Sequence, residues 1–275
     1  MRSLLLNSHI GLAETPQGSF LYNRNDIFVG KALELYGEYN QFEATFLSQL
    51  IQPGYNIIEI GANIGAHTVG MAKKTGPTGT VFAFEPQRGC YAFLQAQIAL
   101  NQLNNVYGFN EALGAEEGEL WIPPQDYEKI GNFGAVELGK IGSAQHERVK
   151  VRRLDNVLGN TVTHLIKIDV EGMEYEVLLG ANKTIQRDKP ILYVENDRPE
   201  KSPALIKEIQ SLGYRLWWHL PPLYNPNNTY QNPQSIYGEM ASINMFCIHK
   251  TVAADLDEAG EILSPDVPHP CRKKD

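Results

Sequence analysis

Short apolar runs and helical-period stripes alternate along most of the chain. Phe42, Phe46, Leu47 and Leu50 recur at helical spacing within residues 38–50, and Pro53-Gly54 stops that helix. Residues 55–60 are a short apolar run ending at a glycine turn, which predicts a buried strand. The pattern then predicts a helix over 64–74, a Val- and Phe-rich strand over 80–84, a helix over 91–103 ended by Asn104-Asn105, and a strand over 106–109. Farther on, strands are predicted over 164–168 and 190–194. Helices follow them over 174–187 and through Leu205, Ile206, Ile209 and Leu212, and a last strand falls near 243–248. Strand–helix alternation of this length predicts an α/β fold, a mostly parallel sheet with helices on both faces.

Two segments break the alternation. Residues 114–153 hold Gly118, Pro123, Pro124, Gly131, Gly134, Gly139 and Gly142, while Arg148 to Arg152 alternate like a strand, so an inserted hairpin or loop is expected there. Residues 219–239 are rich in Pro, Asn and Tyr, a long irregular stretch of the kind that often serves function. Residues 1–35 are mixed. The expected organisation is a helical or irregular cap over 1–50, a main domain over 51–250 and a tail over 251–275.

Composition narrows the class. The 275 residues suffice for one sizeable α/β domain or at most two small ones, and 43% apolar residues supply a core. A formal net charge of −8 argues against a broad nucleic-acid-binding face. The three cysteines, Cys90, Cys247 and Cys271, are an odd and widely spaced set, neither a disulfide framework nor a zinc site. Leu4 to Leu6 is too short an apolar run for a signal-peptide core, and no stretch approaches the ~20 apolar residues of a membrane span. The expectation is a cytoplasmic protein; nothing in the pattern speaks to its oligomeric state.

The glycine turn Glu59-Ile60-Gly61-Ala62-Asn63-Ile64-Gly65 lies where the first main-domain strand meets its helix. Glycines let a backbone turn tightly and approach a ligand, and the helix start offers unpaired N–H groups. Glu85, within Phe84-Glu85-Pro86, ends the next strand about 20 residues on, where an acidic side chain accepts hydrogen bonds from ribose hydroxyls. A dinucleotide-binding turn prefers G-x-G-x-x-G, whereas the spacing here is G-x-x-x-G with Glu59 before it. That acid suits a ligand bearing an amino group, as S-adenosylmethionine does and NAD does not.

Four blocks together, Ile58 to Thr68, Phe84 to Pro86, Asn110 to Gly114 and Ile166 to Glu174, resemble the FkbM family of methyltransferases. Asp169-Val170-Glu171-Gly172-Met173-Glu174 is the most family-specific of them, and the resemblance runs over residues 36–250. It implies a class I (Rossmann-like) methyltransferase fold, a seven-stranded mostly parallel sheet with the last strand antiparallel. It also implies S-adenosylmethionine as donor and a hydroxyl, often on a sugar or secondary metabolite, as acceptor. Under it Glu59, Gly61, Ala62, Asn63, Gly65 and His67 hold the methionine part of the donor. Glu85 and Pro86 hold the ribose, and Asn110, Glu111 and Ala112 lie near the adenine.

Ligands of open α/β sheets bind beyond the C-terminal strand ends, where Asp169, Glu171, Glu195 and Asn196 fall. A hydroxyl must lose its proton before it attacks. Asp169, Glu171 or His219 are candidate bases. Alternatively, Asp169, Glu195 and Asn196 offer oxygen ligands for Mg²⁺, or Asp169 and Glu195 hydrogen-bond the donor and nearby backbone. Lys167, between apolar neighbours in a strand, reads as an ion-pair partner. Trp217, Trp218, Tyr224, Asn225, Asn227 and Asn228 read equally as a sugar platform or as core and turn residues. The expectation is an O-methyltransferase with a small-molecule or glycan acceptor. The alternatives are N-methylation, a carrier-bound acceptor, a non-catalytic nucleotide-binding module and an NAD-dependent oxidoreductase.

Overall fold

The computed structural model describes residues 3–134, 136, 139, 145–252 and 260–271. The chain runs β1 (Ser3–Leu5), β2 (Ile10–Glu14), β3 (Ser19–Asn23), α1 (Val29–Tyr36), α2 (Gln41–Leu50), β4 (Asn56–Ile60), α3 (Thr68–Thr75), β5 (Thr80–Phe84), α4 (Arg88–Leu100) and β6 (Val106–Phe109). It continues through β7 (Ala112–Leu113), β8 (Gly118–Ile122), β9 (Glu147–Arg152), α5 (Leu154–Val157), β10 (Leu165–Ile168), α6 (Glu174–Gly180), α7 (Asn182–Asp188), β11 (Ile191–Glu195), α8 (Ser202–Ser211), β12 (Tyr214–His219) and β13 (Asn244–His249).

Seven strands form the main sheet in the order β12-β13-β11-β10-β4-β5-β6. β4, β5, β6, β10 and β11 pair in parallel, and β13, the last strand, runs antiparallel to both β11 and β12. Both faces are covered, which explains why these strands read as continuous apolar runs. Ile57 packs with Leu47, Val69 and Leu94 on the α2–α4 face, while its neighbour Ile58 packs with Val177, Ile185 and Ile209 on the α6–α8 face. The strand order reverses between β4 and β10, the switch point at which such sheets bind ligands.

The first 23 residues depart from the helical or irregular cap expected of them. β1, β2 and β3 form an antiparallel sheet, and its free edge is covered by α4. Gln97 bonds both backbone groups of Leu21, and Asn101, one turn on, bonds both of Ser19. Two amides spaced four apart on a helix thus match two residues spaced two apart on a strand. The expected helix over 174–187 is two helices, broken at Ala181. In the 114–153 insertion, β8 and β9 form the expected antiparallel pair, while Gly142 lies outside the described residues. No helix among the described residues is long and apolar enough to cross a membrane.

Candidate active site

At the switch point the ends of β4 and β10 come very close. Gly61 has φ +85°, and a Cβ there would lie 1.7 Å from the carbonyl oxygen of Asp169. Gly65 has φ +86°, and its Cβ would meet the Leu94 side chain at 2.9 Å. Packing therefore requires glycine at position 61, whereas at Gly65 it is the positive φ that favours glycine. Gly61 borders the site, but Gly65 does not line it.

A cavity of about 420 Å³ opens over this point. Glu59, Gly61, Lys167 and Asp169 line its inner side, and Leu223, residues 240–243 and Asn244 at the start of β13 line another. A smaller cleft adjoins it, lined by Pro86, Glu111, Ala112, Val136 and Met173. Gly61, Glu85, Asp169 and Glu171 border both spaces. Glu85 is 4% exposed, and its two oxygens accept the backbone N–H groups of Asn63 and Gln87 at 2.8 Å each. Burial pushes its carboxyl up to about 7 against the pull of those N–H groups. Asn110 does not line either space; its amide holds the carbonyls of Glu85 and Pro86.

A buried ionic cluster underlies the larger cavity. Lys167 and Glu59 are cross-strand partners on the face covered by α2, and that helix brings Glu43 to the same place. Lys167 Nζ lies 2.8 Å from Asp169 and 3.8 Å from Glu43. Asp169 is held below the usual carboxylate range by Lys167 against the opposing effect of burial. Glu59 accepts the Thr68 hydroxyl at 2.5 Å, and desolvation raises both Glu59 and Glu43 to about 7. His67 caps α3 with Nε2 3.5 Å from Glu43, and burial lowers its ring to about 3, so it is neutral.

These shifts predict a pH dependence of stability. Glu43, Glu59 and Glu85 have carboxyls raised from 4.5 to about 7 in the folded state. Their contribution is complete below 4.5 and is lost as pH rises through 7. His67, lowered from 6.5, has the opposite effect, but only below its unfolded value. Between pH 6.5 and 8 the ligand-free protein is expected to lose about 1 kcal/mol per carboxylate. Urea midpoints across that range check it; a flat or rising profile contradicts it.

Two expectations from the sequence are corrected. His219 does not reach the cavity: its ring stacks on Phe46 at 4.1 Å and Nδ1 bonds the Tyr193 hydroxyl. Asn196, one residue past Glu195, points away into the core, where its amide meets Ser202 and Met245. Asp169 and Glu195 share a hydrogen bond, but with Asn196 turned away and Asp169 held by Lys167 the three-oxygen set expected for Mg²⁺ is not assembled. The carboxylates that do converge are Glu171, Glu195 and Asp197, and Arg198 bridges Glu171 and Asp197 as their counter-ion. Of its two readings the aromatic and amide cluster takes the second, core and turn residues. Trp217 packs on Phe246 and Trp218 on His269. Tyr224 packs on Tyr36, and the amide of Asn225 bonds Glu38.

Sequence reading missed Asn40, Glu43, Asp197 and Arg198 as cavity residues. Glu43 carried a signal: it shares a helical stripe with Leu47 and Leu50, an acid on an apolar face. The others carried none.

A seven-stranded sheet of this order, with an acid at the end of β5 and a cavity at its switch point, defines a class I methyltransferase fold. Residues 59–216 match the methyltransferase FkbM domain, and the chain belongs to that family. Among curated relatives it is 31% identical over 143 residues to Methyltransferase 1 of Beauveria bassiana (strain ARSEF 2860), covering 45% of this chain and 57% of that protein. It is 31% identical over 157 residues to Methyltransferase sdnD of Sordaria araneosa, covering 46% of this chain and 60% of that protein. The chain thus spans about three fifths of the length of these relatives. Among solved structures, the methyltransferase FkbM of Methylobacillus flagellatus KT aligns with a TM-score of 0.49 and 18% identity over 71% of this chain and 44% of that one.

Proposed function

We propose that this chain binds S-adenosylmethionine and methylates a hydroxyl on a sugar or secondary metabolite. The observation that carries this reading is the junction at Glu85. An apolar cleft of adenine-binding character and an acid-lined cavity meet at one buried carboxylate suited to ribose hydroxyls. Pro86, Ala112 and Met173 would hold the adenine, Glu85 the ribose, and the cavity beside Asp169 the charged end. When bound, the donor supplies an electrophilic methyl group on a positively charged sulfur. Asp169, kept ionised by Lys167, favours positive charge beside it, and it is a weak base for the same reason.

The acceptor would enter past Leu223 and residues 240–244 toward Glu171. Burial raises the Glu171 carboxyl to about 7, against the pull of Arg198 at 2.8 Å. A base with that affinity takes a hydroxyl proton near neutral pH. Proton removal is assigned to this carboxylate and no step to a metal. Among the described residues, the larger cavity carries seven carboxylates against Lys167 and Arg198, which disfavours a phosphate-rich acceptor and supports a small molecule or glycan. The free thiols of Cys90, Cys247 and Cys271 accord with a cytoplasmic location.

A panel of hydroxylated acceptors with methyl-labelled donor tests the reading. Turnover is expected to rise with pH through about 7 as Glu171 ionises. Glu171→Gln should lower kcat by about 10²- to 10⁴-fold with donor affinity kept. Label appearing on nitrogen only, or unchanged kcat in the variant, contradicts it.

A further inference from the structure

Residues 260–271 follow the last strand and lie outside the stretch that matches the family, yet they are tied to the sheet at β12. The Ile262 N–H donates to the Leu216 carbonyl at 2.7 Å, and the Gln210 amide donates to the Ile262 carbonyl at 3.0 Å. Both carboxylate oxygens of Glu261 accept from the Arg215 guanidinium, the shortest contact being 2.6 Å. Ile262 is 2% exposed and joins the core on the α6–α8 face. A chain end tied down by backbone, ionic and apolar contacts is a built part of the fold.

The segment then reaches the C-terminal end of β11. His269 is 4% exposed, packs against the Trp218 ring, and donates from Nε2 to the Asn196 carbonyl at 2.7 Å. Its Nδ1 accepts the Cys271 N–H at 3.1 Å, so one tautomer, with the proton on Nε2, satisfies both ring nitrogens. Asn196 lies between Glu195 and Asp197, and Arg198 next to them bridges Asp197 and Glu171. His269 therefore holds the turn that carries the counter-ion of the carboxylate assigned to proton removal. Cys271 lines the larger cavity and not the apolar cleft. In the sheet, β10 and β4 separate β11 from β5, whose end borders that cleft. Cys271 thus stands at the end of the cavity away from the adenine side.

We propose that residues 260–271 form a strap that completes the acceptor end of the cavity, with His269 positioning the Glu195–Arg198 turn and Cys271 walling the acceptor. This rests on the acceptor reading above. His269 is a positioning residue: it acts through Arg198 on Glu171.

Cys90 and Cys247 are buried, so N-ethylmaleimide labels Cys271 in the folded chain. The adduct is expected to lower turnover of the best acceptor in the panel by about tenfold or more. It should leave S-adenosylhomocysteine affinity within about twofold, and bound S-adenosylhomocysteine should slow labelling by no more than about twofold. Burial and Asp197 hold the Cys271 thiol above its ordinary value, which suppresses the reactive thiolate. In His269→Ala the released strap should react about 3- to 10-fold faster. Glu171 sits among Asp169, Glu195 and Asp197 with Arg198 as its counter-charge, and a looser Arg198 pulls its carboxyl down less. The pH of half-maximal turnover should therefore rise by about 0.5 in that variant, and His269→Gln, which keeps an N–H donor, should restore most of both effects.

Unchanged labelling in His269→Ala overturns the proposal. Faster labelling with an unmoved pH midpoint does too, because that is the signature of a merely structural role. An adduct that leaves turnover intact, or that weakens S-adenosylhomocysteine as much as it lowers turnover, removes Cys271 from the acceptor wall and overturns it as well. If the wild-type protein methylates no acceptor of the panel, the acceptor reading itself fails, and the labelling rates still decide whether His269 holds the strap.

Discussion

Replacing Lys167 by methionine is expected to destabilise the protein by about 3–5 kcal/mol, the usual cost of removing one partner of a buried ion pair. Lys167 is 2% exposed and faces Asp169, Glu43 and Glu59, with Asp169 at 2.8 Å. Its charge is what makes three neighbouring acids tolerable in the interior: they hold its own ammonium above the usual lysine range despite burial. Without it the carboxylates must take up protons. Glu43 and Glu59, already near 7, do so easily. Asp169 is the group that changes most, because its low value depends on Lys167. The variant's deficit should therefore be largest at pH 8 and shrink toward pH 5.5. Urea unfolding at both pH values checks this; equal stability of variant and wild type at pH 8 refutes the role given to the cluster.

Gly61→Ala is expected to have the second largest effect, a loss of about 2–5 kcal/mol with donor binding abolished. Two costs combine: a positive φ that disfavours an L side chain by about 1–2 kcal/mol, and overpacking of about 1–3 kcal/mol. The new Cβ would meet a backbone carbonyl at 1.7 Å, which no rotamer change relieves. The ends of β4 and β10 would have to part, and Asp169 would move with them. Gly65→Ala should cost less, because its Cβ meets the far end of Leu94. Thermal unfolding and donor titration of the two variants check the order. A Gly61→Ala protein that is stable and binds donor contradicts the close approach.

What was legible in the sequence follows from how local each determinant is. β4, β5, β6, β10 and β11 are buried on both faces, so apolar runs and the turns after them locate each strand without tertiary knowledge. β12 was not legible. In Tyr214–His219 the adjacent Trp217 and Trp218 obscure the strand alternation and suggest a binding cluster instead. β1 to β3 were missed because their edge is completed by Gln97 and Asn101, some 80 residues away in sequence. In the site, Glu85 and Asp169 were legible because position at a strand end fixes where they sit. Asn196 was misread for the opposite reason: one step along the chain reverses the side chain's direction. Asn40 and Glu43 belong to the cavity only because α2 packs over the sheet, and that contact leaves no spacing to read.

The most direct test is calorimetry of the intact chain with S-adenosylmethionine and with NAD, on wild type and on Glu85→Ala. Wild type is expected to bind S-adenosylmethionine and not NAD. Glu85→Ala should lose about 10²-fold in affinity for S-adenosylmethionine, the loss of hydrogen bonds from ribose hydroxyls to a buried carboxyl acceptor. Binding of NAD without S-adenosylmethionine, or an unchanged affinity in the variant, would contradict this.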